Sequence, residues 1–175
     1  DSLNLLPNLL PDAPQVGGSG PVYAHQISVN QRGDFAASVN FLISPGNRLL
    51  VRNRFCELLW DYRGTDPLLA VGIKHWWANN DHLMAIVATG GTSADPVCEL
   101  LKFDAAGAVV WSYAHDTHPI AQPGVNPTVD GAGNTWAVFG TSPATDLLLV
   151  KVDSDGAKVT DFSCPPSPYA LATDE

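Results

Sequence analysis

Charge is scarce in this sequence. Only 15% of its 175 residues are charged, against roughly 25% in an ordinary soluble domain. Basic residues are the scarcer kind, nine against eighteen acidic ones, for a formal net charge of −9. A surface that grips nucleic acid needs a positive face, so nucleic acid is not an expected partner. A disordered chain shows the opposite balance, with much charge and little hydrophobicity. This chain is 45% hydrophobic and is expected to fold, with a surface that is uncharged polar or covered by partners. Arg48, Arg52, Arg54 and Arg63 bunch together, and only acidic charge follows Lys158. Those two regions either attract one another, within or between subunits, or are solvated strand faces.

Other absences narrow the reading further. No apolar run approaches the ~20 residues of a membrane-spanning helix. No window of a dozen residues carries clean helical periodicity, and fourteen prolines and fifteen glycines interrupt the chain. The three cysteines, Cys56, Cys98 and Cys164, form no even set and no CxxC pair; one disulfide with a free or intermolecular thiol and three reduced thiols both stay open. No Gly-x-Ser-x-Gly elbow, glycine-rich phosphate loop or CxxCH haem site is present. No catalytic residue is assigned on this basis, and no cofactor is expected. The sequence opens at Asp1 rather than Met, as expected of a mature chain whose leader has been removed or of part of a longer one.

Residues 1–21 form a distinct opening stretch. Leu5-Leu6-Pro7 and Leu9-Leu10-Pro11 repeat at a spacing of four, followed by Gly17-Gly18-Ser19-Gly20. Proline holds the residue before it extended and removes an amide donor, so the segment reads as an extended arm on a glycine joint. Leu5, Leu6, Leu9 and Leu10 are expected to dock on a neighbouring surface or across the chain's own domain. Residues 164–175 read as an acidic, proline-containing tail.

From Val22 onward the signals are β: short apolar or alternating runs between Gly, Asn, Asp and Pro clusters. Asp34–Leu42, Arg48–Phe55, His82–Ala88, Val109–Tyr113, Thr135–Phe139 and Leu147–Val152 are the clearest. A repeat underlies them. The run from Leu100 to Val110 matches the run from Leu149 to Val159, 49 positions on, and Val29–Asp34 matches Val129–Asn134 at an offset of 100. Trp60 and Trp111, each closing a strand-like run, lie 51 apart, whereas Cys56-Glu57-Leu58-Leu59 recurs as Cys98-Glu99-Leu100-Leu101 at an offset of 42. Asp-x-x-Gly and Gly-Asn are hairpin turns, glycine supplying the positive φ and the Asx side chain capping the turn. About four short strands per ~40–50 residues is the content of a propeller blade. The expectation is an all-β chain, a partial β-propeller of about three four-stranded blades over 22–163 (22–64, 65–114 and 115–163), with the extended N-terminal arm.

Asp130-Gly131-Ala132-Gly133-Asn134-Thr135-Trp136, Gly140-Thr141, and Leu148 through Gly156, together with Leu101–Gly107 and Val110-Trp111, resemble the bacterial cell-surface β-propeller repeat. Thr160 stands where that pattern places a tryptophan. The resemblance implies blades and an extracellular, cell-surface or periplasmic address, and no reaction. Three blades do not close a ring of four to eight. The function expected is therefore a non-enzymatic structural or interaction protein that assembles with other chains or copies of itself through blades and arm. The alternatives are one chain of a multi-chain propeller enzyme, quinoprotein-like, with His75, Asp81, His115 and His118 on connecting loops, or a carbohydrate-binding propeller lectin.

Candidate sites are few. His75-Trp76-Trp77 followed by Asn79-Asn80-Asp81-His82 is the densest aromatic and polar cluster; aromatic faces stack on sugars and amides bind hydroxyls, so a carbohydrate site competes there with packing between blades. His115 and His118 have a metal-like spacing, but a third and fourth ligand would have to come from other loops, from His75, His82 or Asp81, and a polar loop between blades is the expected reading. Asp153-Ser154-Asp155-Gly156 begins like a calcium loop without its later ligands and reads as a hairpin turn.

Overall fold

The computed structural model describes residues 22–41, 47–63, 73–91, 96–115, 120–123, 126–141 and 147–164. The N-terminal arm, His118 and residues 165–175 lie outside them. The described elements are all β-strands. The first sheet is β1 (Val22–Val29), β2 (Phe35–Phe41), β3 (Asn47–Arg52) and β4 (Leu58–Arg63). The second is β5 (Lys74–Trp77), β6 (Leu83–Gly91), β7 (Pro96–Phe103) and β8 (Val109–Tyr113). The third holds β9 (Ile120–Pro123), β10 (Thr128–Val129), β11 (Thr135–Thr141), β12 (Leu147–Val152) and β13 (Lys158–Cys164). Each is an antiparallel meander in sequence order, and β9 and β10 share one edge of β11. β9 and β10 together occupy the place of a single first strand, a division that suits Pro123 and Pro127, which cannot donate to a central ladder.

Five hairpins are closed by one five-residue turn: Asn30–Asp34, Asn53–Glu57, Asp104–Ala108, Asp130–Asn134 and Asp153–Ala157. In each, the first N–H bonds the fifth carbonyl and the fourth N–H bonds the first carbonyl, at 2.8–3.2 Å. The opening Asx Oδ1 accepts the third and fifth amides, as at Asp104 from Ala106 and Ala108, both 2.9 Å, and at Asp153 from Asp155 and Ala157. The calcium-like run at Asp153 is thus a plain turn whose carboxylate caps backbone amides. The fourth residue has positive φ, 83° at Gly107 and 91° at Gly156. The first sheet uses Cys56 there, at φ 67°. Asn53–Glu57 is therefore the counterpart of Asp104–Ala108 and Asp153–Ala157. The offset-42 match joins unlike places, since Cys56-Glu57 lies in a turn and Cys98-Glu99 within β7.

The second sheet lies between the other two. Along β6, Leu83, Ala85 and Val87 pack with Ala36, Leu49 and Val51 of the first sheet. The alternate residues Met84, Ile86 and Ala88 pack with Ala137, Phe139 and Val150 of the third. Both faces of this strand are covered, so its sequence is a continuous apolar run rather than an alternating one.

A tryptophan joins each sheet to the next. Trp60 on β4 stacks on Phe103, with ring centroids 5.3 Å apart, and lies over Gly107; a Cβ there would sit 2.6 Å from the indole. Trp111 on β8 lies over Gly156 in the same way, where a Cβ would sit 2.9 Å from it, and its Nε1 donates to Ser154 O at 2.9 Å. Glycine serves two purposes at these turns, the positive φ and room for the neighbour's ring. Trp60 Nε1 is buried without a hydrogen-bond partner, so the first contact is held by stacking and burial alone.

Candidate binding site

The first strands of the three sheets converge at one end, and a cleft of about 710 Å³ opens between them. β1 and its turn contribute Ser28, Val29, Asn30 and Gln31; β5 and its turn contribute Trp76 through Asn80; the approach to β10 contributes Asn126 through Val129. That volume falls within the roughly 300–1,000 Å³ of small-molecule sites. Among the described residues the lining carries no ionisable side chain.

The walls are tied together before any ligand arrives. Arg32 donates to Asp81 Oδ1 at 2.9 Å and to the Asn80 carbonyl. Asn30 Nδ2 reaches Asp34 Oδ2 at 3.1 Å and the Asn80 carbonyl at 3.4 Å, while its Oδ1 caps the β1–β2 turn. Asn79 Oδ1 accepts the amides of Asp81 and His82, which shapes the β5–β6 turn as an Asx turn without glycine. Trp77 Nε1 donates to Ser28 O at 3.3 Å. Trp76, next along β5, points the other way and is 47% exposed.

The sequence cluster around His75 therefore divides. Trp76, Trp77 and Asn80 line the cleft. His82 sits at the base of the turn, its Nδ1 3.2 Å from Asn79 Oδ1. His75 is fully buried between the first and second sheets. Its Nδ1 meets Ser28 Oγ at 2.8 Å, and the Gln26 side-chain amide bonds its backbone on both sides, at 2.6 and 3.2 Å. Burial pulls the imidazole down to about 4, against a weaker opposing hydrogen bond from Gln26, with Lys74 adding to the depression. His75 is a neutral strut, not a surface ligand.

His115, just after β8, joins the second and third sheets, its Nε2 3.0 Å from Asp161 Oδ2. Hydrogen bonds from His115 and then Lys158 hold Asp161 below the ordinary carboxylate range. Among the described residues, no group of three or more His, Cys, Asp or Glu is placed to hold a metal ion. Cys56 is free and exposed; Cys98 is free and buried, where desolvation raises its thiol to about 12. Gln31, Asn126 and Thr128 were not singled out in the sequence. The signal that could have found Thr128 was present, because the offset-100 repeat makes Ser28 and Thr128 equivalent positions on first strands.

No family model matches the chain, and no curated protein matches it. A solved structure described as "Crystal structure of the eukaryotic initiation factor" is similar at a TM-score of 0.53 with 10% identity, over 89% of this chain and 35% of that one. Such a likeness shows a shared all-β arrangement and nothing of function; the chain spans about a third of that neighbour's length. No helix among the described residues is long and apolar enough to cross a membrane.

Proposed function

We propose that the three sheets are consecutive propeller-type blades and that the chain is a non-enzymatic interaction module of a secreted or cell-surface assembly, joining other chains or copies of itself. The observation that carries this reading is the apolar surface on the two outward faces. On β1, Ser28 faces the second sheet, so Ile27 faces away from it and is 54% exposed. On β13, Asp161 faces the second sheet and Phe162 faces away, 51% exposed. The matching positions of the second sheet, His75 and Tyr113, are buried. Exposed apolar side chains gathered on a sheet face mark contact surfaces.

The histidines that an enzymatic reading would use support this one, since His75 and His115 are occupied between sheets. Size measurement of the full chain in solution is the test. An oligomer, or a complex with a second polypeptide, is expected; a stable, monodisperse monomer of 18.6 kDa would overturn the proposal.

A further inference from the structure

We infer that the cleft where β1, β5 and β10 converge binds a neutral polyhydroxylated ligand, a glycan, with Trp76 as its stacking platform and Gln31, Asn79, Asn80, Asn126 and Thr128 as its hydrogen-bonding groups. This inference stands apart from the assembly reading.

Two classes of side chain line the cleft, and hydrogen bonding separates them. Asn30, Ser28 and Trp77 are occupied by partners within the chain. The side chains of Gln31, Asn126 and Thr128, the Nδ2 of Asn79 and the whole amide of Asn80 have no hydrogen bond within the described residues. Asn80 is the sharpest case. Its Oδ1 is shielded from solvent and has no partner, a state in which native polar groups are seldom left. Rotation of the carboxamide toward the cleft would let that oxygen accept a ligand hydroxyl.

The chemistry of the lining selects the ligand class. Carboxamides and hydroxyls both donate and accept, which is what a ring bearing several hydroxyls requires. The exposed indole of Trp76 offers a flat apolar face for the C–H face of a sugar ring. Among the described residues no ionisable side chain lines the cleft, and Arg32 and Asp81 on the adjoining turns pair with one another at 2.9 Å. Nothing there compensates a phosphate, a sulfate or an ammonium group, so a charged ligand would be desolvated without return. The Arg32 clamp on the Asn79–Asp81 turn fixes the platform and the amides relative to each other in advance, which lowers the entropy lost on binding.

The test is an array of neutral glycans probed with the full chain, followed by calorimetric titration of a retained glycan. Retention of at least one neutral glycan is expected, with free glycan competing. Trp76→Ala should weaken that binding by about tenfold or more while the melting temperature stays unchanged, because the ring is half exposed. Asn80→Asp, which loses the amide's donors and adds charge, should weaken it too. No neutral glycan retained, retention of sulfated or sialylated glycans alone, or binding undiminished in Trp76→Ala would each overturn the inference. Retention and solution size are separate readouts, so failure here is distinguishable from failure of the assembly proposal.

Discussion

At the scale of single residues, His75 makes stability depend on pH. Its unfolded form takes a proton below about 6.5, whereas the folded form stays neutral down to about 4. Between those values the unfolded state binds more protons, so stability falls as the pH falls, by roughly 3 kcal/mol across the window. Urea melts at pH 7.5, 5.5 and 4.5 should show that loss, and His75→Gln should flatten the slope. The turn glycines allow a sharper comparison. Gly107→Ala and Gly133→Ala both place a Cβ at φ 83°, which costs about 1–2 kcal/mol in the left-handed region. Only Gly107 has a ring against it, since nothing lies within 4 Å of a Cβ at Gly133. Gly107→Ala should therefore be the more destabilising by about a further 1–3 kcal/mol, and equal melts would refute the steric role given to Trp60. Cys56 already carries the left-handed strain of a non-glycine residue; Cys56→Gly should raise stability by up to about 1 kcal/mol after the added unfolded-state entropy is subtracted.

At the scale of elements, the five-residue turn and the tryptophan above it act as one device. The turn sets the hairpin, and its glycine leaves the hollow into which the previous sheet's indole fits. Trp111→Ala should empty that hollow at Gly156 and lose the bond to Ser154 O, a loss of about 3–5 kcal/mol for a well-packed tryptophan. The fluorescence change on unfolding should shrink with it. The device stops at both outer sheets. Cys56 puts a side chain where the next tryptophan would rest, and Thr160 replaces the tryptophan that the third sheet would contribute. Ile27 and Phe162 are the exposed apolar side chains on those outward faces.

For the whole molecule, the expected outcomes concern association. Ile27→Lys on the outward face of β1 should weaken assembly, read as a shift toward 18.6 kDa in light scattering, with little change in melting temperature; a lower melt with the oligomer intact would place that residue inside the fold. The arm of residues 1–21 enters the same proposal. Each of Leu5, Leu6, Leu9 and Leu10 contributes roughly 1.5–3 kcal/mol when fully buried. Deleting residues 1–16 should weaken assembly more than it lowers blade stability. An intact oligomer with an earlier melt would make the arm an internal strap.

The all-β class and the limits of two strands were written in the sequence, because they depend on local chemistry. Val109–Tyr113 and Leu147–Val152 match β8 and β12 residue for residue, and the Asp-x-x-Gly turns act through bonds within five residues. The turn at Asn53–Glu57 was obscured, since Asn and Cys stand where its counterparts have Asp and Gly, and the chance likeness of Cys56-Glu57-Leu58-Leu59 to Cys98-Glu99-Leu100-Leu101 competed with it. Trp76, Trp77 and Asn80 were legible as a cluster. Whether each faced a neighbour or a cleft was not, because alternation along a strand fixes two sides without saying what lies on either. Tertiary packing made that choice. It put His75 against Ser28 and Gln26 from 47 to 49 positions away, turned Trp76 outward, and brought Asn126 and Thr128 to the same opening. Those contacts join residues about one repeat or more apart, and a local pattern carries no information about which sheet will stand beside it.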